Sequence, residues 1–124
     1  MSSPIGPYSP AVRAGQWLVC SGQLGVEQGA DGPVLVTGGF EDQARRALAN
    51  VAALLWGRQL GWANVVKTTV FLTDMADYAT FNAVYGEVLG EHRPARSVVA
   101  VQALPMGGLV EIEAWAYGGG PELD

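Results

Sequence analysis

Residues 93–116 read RPARSVVAVQALPMGGLVEIEAWA, two apolar runs around a Gly-Pro segment, and the way these runs pair sets the rest of the fold. ARSVVAVQA and LVEIEAWAY are rich in β-branched and aromatic residues and read as strands. A joining loop as short as LPMGG predicts an antiparallel hairpin. On the last strand Val110, Ile112, Ala114 and Ala116 alternate with Leu109, Glu111, Glu113, Trp115 and Tyr117, so one face is apolar and the other mixes acids with large aromatics.

Arg96 stands at the mouth of the first run, with Val98, Ala100 and Gln102 on its face. A guanidinium is permanently charged and its planar fork matches a carboxylate in two parallel hydrogen bonds. Two readings of Arg96 stand side by side: it anchors an anionic ligand, or it pairs with Glu111 or Glu113 of the neighbouring strand. A turn centred near Met106 sets Arg96 opposite Tyr117 and Gln102 opposite Glu111, and at ~3.3 Å per residue the offset from Arg96 to Glu111 is on the order of 15 Å. The ion pair within one chain then rests on Glu113, and a site using both Arg96 and Glu111 needs two subunits.

Upstream, ADYATFNAVYGEVLG carries Tyr78, Phe81, Tyr85, Val88 and Leu89 on one helical stripe, with Asp74 to cap its start and Gly90 to end it. Asn82 falls on that stripe, where a buried amide has to satisfy its donors and acceptors, and reads as a structural hydrogen-bonder. VVKTTVFLTD is apolar on both faces and reads as an interior strand. A second helix begins at Phe40 and aligns Ala44, Ala47, Leu48, Val51 and Leu55, with Glu41 and Asp42 in its first turn and Gly61 to close it. GQWLVCSG reads as a strand with Trp17, Val19 and Ser21 on one face and Ser21 at its end, and Asp31-Gly32-Pro33 marks a turn before a short edge strand. This order predicts an α+β domain, a mixed sheet with both helices packed on one face. The other face, aromatic and acidic, favours contact with further copies and therefore a homo-oligomer.

The chain has 124 residues, one domain spanning 1–124, with 49% hydrophobic and 15% charged residues and 17 glycines. A net charge of -5 and a pI near 4.7 argue against nucleic acid, which takes much of its affinity from basic residues. One cysteine, Cys20, and one histidine, His92, support neither an internal disulfide nor an ordinary zinc site, so no metal and no cofactor are expected. His92 sits in a charged loop and reads as a surface residue, leaving Ser21 without a partner for a serine triad. Tyr8 lies among prolines in IGPYSP, where it either walls a pocket or packs the N-terminal arm onto the sheet. No secretory leader and no apolar run approaching the ~20 residues of a membrane span are present, which predicts a cytoplasmic protein without membrane partners.

The segments IGPYSPAV, VCSGQLG, QARRALANV, VVKTTVFLTDMADYATFNAVY and PARSVVAVQALPMGGLVEIEA follow one another in the order and spacing of the RidA (reactive intermediate deaminase, or YjgF) family, which the chain resembles over nearly its whole length. The resemblance implies a chorismate-mutase-like subunit in a homotrimer with clefts between subunits. It also implies hydrolysis of 2-enamine or 2-imine acids, such as 2-aminoacrylate or 2-iminobutanoate, to 2-keto acids and ammonia. By the same match Arg96 would bind the substrate carboxylate, Glu111 would orient water, Tyr8, Ser21 and Gly22 would line the cleft, and Asn82 would lie at its border. Val98 stands where many relatives carry a cysteine, and the loop GEHRPARS is shorter than in many of them. A trimer that binds small carboxylates without turnover is the alternative, and an endoribonuclease or translation inhibitor a further one.

Overall fold

The computed structural model describes residues 4–119. Among these residues the chain forms β1 (Ala11–Ala14), β2 (Trp17–Leu24), β3 (Val26–Gly29), β4 (Gly32–Leu35), α1 (Phe40–Trp56), β5 (Val65–Leu72), α2 (Tyr78–Leu89), β6 (Ala95–Ala100) and β7 (Val110–Tyr117). Five strands make one sheet in the order β1-β2-β7-β5-β6, while β3 and β4 form a separate two-stranded ribbon. Only β5 and β6 run parallel; the other neighbours in the large sheet are antiparallel. The expected α+β class, a mixed sheet with two helices, is the observed one.

The hairpin expected from residues 93–116 is not formed. β6 pairs with β5 and β7 lies between β2 and β5, so the two runs are not neighbours at all. Burial explains the choice. Val110, Ile112, Ala114 and Ala116 are completely buried, and the middle of the sheet, with partners on both sides, suits the strand that carries them. β6 has exposed or half-buried side chains throughout and suits an edge. Residues 101–109 carry the chain across the end of β5 rather than back along β6. Val101 N–H still bonds Leu72 O at 2.8 Å on one side of β5, and Thr73 N–H bonds Leu109 O at 3.3 Å on the other. The alignment of Arg96 with Tyr117, and the offset drawn from it, therefore do not hold.

Other differences are local. β1 and β3 were not expected from the sequence, and β2 runs past Ser21 to Leu24 through an irregularity between Cys20 and Gln23. The turn before β4 is the two-residue link Ala30-Asp31, with Gly29 opposite Gly32. α1 stops at Gly57, not Gly61, since a cap at Gly57 already bonds Ala53 O and Gly61 opens a short 3-10 turn. Asp74 caps a 3-10 turn just before α2, its Oδ1 accepting from Ala76 N–H at 2.9 Å.

α1 packs on β7 and β2 and touches α2, and the buried stripe of both helices joins the inner side chains of the sheet in one core. Two polar side chains of α1 lie inside it. Asn50 Nδ2 donates to Leu24 O at 3.0 Å and Val26 O at 2.9 Å, and Gln43 Oε1 accepts from Leu109 N–H at 2.9 Å. They satisfy backbone groups where β2 leaves the sheet and where β7 enters it. The face away from the helices exposes Val12, Val99, Trp115 and Tyr117, with Trp17 edge-on to Trp115 and Tyr117 at 5.9 and 4.9 Å. No helix among the described residues is long and apolar enough to cross a membrane.

Candidate functional site

One row of paired residues crosses the whole sheet on its helix-covered face: Ala11, Cys20, Ala114, Thr68 and Arg96. The first four are buried, and the row ends at the open edge in the one charged residue. α2 overhangs that edge with its aromatic stripe. The Arg96 guanidinium carbon lies 4.9 Å from the Tyr85 ring centre, 5.8 Å from Tyr78 and 5.9 Å from Phe81, a bed of π faces that attracts a cation. Arg96 Nη2 donates to the Tyr78 hydroxyl at 3.2 Å. Tyr85 is held in turn by a 2.7 Å hydroxyl bond to buried Thr68. Burial pushes the Tyr85 hydroxyl above its ordinary pKa, opposed by the Thr68 bond and by Arg96 and Arg93, so it stays a neutral hydroxyl.

The ion pairs among the described residues join Arg45 to Glu41 and Glu87 and Arg46 to Glu27; Arg96 takes part in none. It lines a pocket of about 320 Å³ with Asn82, Tyr85, Gly86, Arg93 and Pro94. Asn82 does not meet the expectation of a satisfied hydrogen-bonder: its buried Oδ1 has no partner. Val98, two residues along β6, is half-buried and packs on the core.

Tyr8, Ser21, Gly22 and Glu111 gather elsewhere, around an open pocket of about 550 Å³ walled by Ile5, Pro105 and Glu113. Two bonds from Ser21 fix the arm that brings Tyr8 there, Oγ–H to Ser9 O at 2.7 Å and N–H to Pro10 O at 2.8 Å. Gly22 is small because Glu111 lies against it: a Cβ at Gly22 would stand 2.7 Å from Glu111 Cδ. Burial, and secondarily the neighbouring Glu113 charge, raise the Glu111 pKa above the usual carboxylate value. That is the direction a group needs if it is to take up and return a proton near neutrality.

The two groups lie on opposite faces of one sheet. Glu113 and Ser97 flank Thr69 in the row next to that of Arg96, and successive residues of a strand point to opposite sides. Neither Glu113 nor Glu111 can therefore meet Arg96 inside the chain, and the intrachain ion pair is excluded. The aromatic bed is the part that sequence reading assigned to the core alone. Two tyrosines on a stripe facing the next strand, with an arginine at that strand's start, were the available signal. His92 is half-buried, not a free surface residue, and its Nε2–H donates to Val65 O at 2.8 Å. Burial raises the Cys20 thiol to about 11, which leaves it inert at the foot of the sheet. No cluster of three or more His, Cys, Asp or Glu side chains suited to a metal occurs among the described residues.

Residues 1–118 match the model of the Endoribonuclease L-PSP family. The chain belongs to this family, that of the RidA proteins. It is 45% identical over 115 residues to the 2-iminobutanoate/2-iminopropanoate deaminase of Bos taurus, covering 93% of this chain and 82% of that one. A RutC family protein of Pyrococcus horikoshii is 44% identical over 114 residues, 92% of this chain and 89% of that one. Among solved structures, RidA from an Antarctic Psychrobacter superposes with a TM-score of 0.87 at 40% identity, covering 94% of this chain and 92% of that one. E. coli TdcF with bound serine superposes with a TM-score of 0.84 at 37% identity, covering 94% and 91%.

Proposed function

We propose that this protein hydrolyses 2-imino acids, and the 2-enamine acids that tautomerise to them, to 2-keto acids and ammonia. The observation that carries the reading is the state of Arg96: a guanidinium bedded on three aromatic rings, facing a pocket, with no carboxylate of its own. Such a cation asks for an anionic ligand, and the 2-carboxylate of an imino acid supplies one. Support comes from the deaminase relatives and from the α-amino acid bound to TdcF. The excess of twelve acidic over seven basic residues weighs against the ribonuclease action that the family's name would allow.

The site forms between copies, in a homotrimer, with Arg96 from one subunit facing Glu111 from another. Arg96 holds the carboxylate, and Asn82 Oδ1 offers an acceptor to the imine N–H. Tyr8, Ser21 and Gly22 wall the opposite side, with Val98 behind Arg96. Glu111 takes a proton from water as the oxygen adds to the imine carbon. It passes that proton to the imine nitrogen, giving a carbinolamine, and then carries the carbinolamine's hydroxyl proton to the same nitrogen as C=O forms and the C–N bond breaks, so ammonia departs and the keto acid remains. No metal or cofactor enters these steps. The test is keto acid release from an imine generated in situ by an amino-acid oxidase. Wild type should accelerate it and Arg96→Ala should not, with both chains of the same mass in solution. Turnover by Arg96→Ala would remove Arg96 as the anchor, whereas no acceleration by wild type across several amino acids would leave a carboxylate-binding protein in place of the enzyme.

A further inference from the structure

Arg96 is not alone in its pocket. Arg93, three residues earlier, lines the same walls, and like Arg96 it joins none of the ion pairs among the described residues. Its Nη1 donates to the carbonyls of Gly90 and His92, which holds one edge of the guanidinium against the loop that follows α2. A guanidinium carries five N–H donors, so Nε and Nη2 remain available. Nη2 passes 4.0 Å from where a Cβ on Gly86 would stand, and that wall of the pocket has no side chain to cover it. Two guanidinium groups without acidic partners around one cavity are conspicuous in a chain of net charge -5, where acids outnumber bases. Both also press down on the pKa of the Tyr85 hydroxyl, which places their fields in the same small volume. One monocarboxylate satisfies one fork and leaves the other uncompensated.

We infer that Arg93 is a specificity-determining residue of this pocket, and that the preferred ligand is a 2-imino acid with a second carboxylate on its side chain. The 2-carboxylate sits on Arg96, which the aromatic bed orients, and the side-chain carboxylate reaches Arg93 at the pocket mouth. Arg93 stands in the loop before β6, not on the strand itself, and its side chain lines the same cavity of about 320 Å³ as that of Arg96, which leaves room for a short dicarboxylate between them. Arg93 is the more exposed of the two, so its contribution is screened by salt more than that of Arg96. The inference rests on the deaminase reading, since it places the reacting acid on Arg96.

The experiment separates the two. Calorimetric titration of the whole protein with 2-ketoglutarate and with 2-ketobutanoate, stable stand-ins for dianionic and monoanionic imines, is run for wild type, R93Q and R96A. Wild type should bind the dianion about tenfold more tightly at low salt, the scale of one partly exposed charge-assisted pair. R93Q should bring the two ligands to equal affinity while leaving 2-ketobutanoate unchanged, and R96A should lose both. Equal affinity in wild type, or a preference that survives in R93Q, overturns the role of Arg93 while loss of both ligands in R96A keeps the anchor. A changed solution mass in R93Q with the preference intact identifies Arg93 as a contact between copies and likewise overturns it. Undiminished binding in R96A overturns the parent reading, and this one with it.

Discussion

Replacing Gly22 by alanine tests the candidate site without touching an ionisable group. Gly22 does not occupy the left-handed region, so alanine can adopt its backbone conformation. The new Cβ would stand 2.7 Å from Glu111 Cδ and 2.9 Å from Cγ and Oε2, where ordinary contact begins at 3.4 Å, so the carboxylate has to retreat by about 0.7 Å or more. The obstructed atoms are the free end of a side chain, which swings aside at a cost of about 1 kcal/mol, the low end of overpacking penalties. A displacement approaching 1 Å at a reacting group slows turnover by about ten- to a hundredfold. The assay is keto acid release at saturating imine beside a thermal melt. kcat should fall by that factor while Tm moves by no more than a few degrees. The same change made in a Glu111→Gln background should add almost nothing, since the group it displaces is already disabled. An unaltered kcat with an unaltered Tm would refute the steric argument, and a collapse in Tm would show that Glu111 cannot yield.

Tyr78→Phe keeps the ring against Arg96 and deletes the hydroxyl that fixes Nη2; KM should rise severalfold with kcat nearly unchanged, and a kcat defect at constant KM would contradict an orienting role. Glu111→Gln should raise Tm near neutral pH while slowing catalysis. The raised pKa means the folded protein favours the protonated acid, so stability is greatest below the unfolded value of ~4.3 and declines as pH climbs through the folded one. The gain in the variant should accordingly vanish in acid, and a Tm difference independent of pH would reject the assignment. Asn50→Ala strands the carbonyls of Leu24 and Val26 inside the protein and should cost about 2 kcal/mol or more in urea unfolding; a loss below about 0.5 kcal/mol would mean that water replaces the amide.

Both helices and the interior strand were readable from periodicity, because Phe81, Tyr85, Leu48 and Val51 recur at helical spacing and VVKTTVFL does not. The strand order was not. LPMGG looks like a hairpin link when counted alone, yet residues 101–109 are long enough to cross the end of β5, and only the complete burial of alternate β7 residues shows which partners that strand needs. The same error carried into the site, since the register of Arg96 had been taken from a pairing that does not exist. Arg96, Glu111 and Gly22 were identifiable as candidates through the family's motifs. That Glu111 presses on Gly22 left no local pattern to read, since the two stand far apart along the chain, whereas the bed under Arg96 had its signal in the tyrosines of the α2 stripe, and that signal was taken for core packing alone.

The placement of Arg96 and Glu111 on opposite faces of one sheet has a genetic consequence. In an assembly where the arginine of one copy meets the carboxylate of the next, a chain lacking Arg96 and a chain lacking Glu111 are each inactive alone but carry complementary halves. Mixed oligomers of the two would contain intact sites, about a quarter of all sites when equal amounts assemble at random. Two loss-of-function alleles of this kind, expressed together, would restore one another.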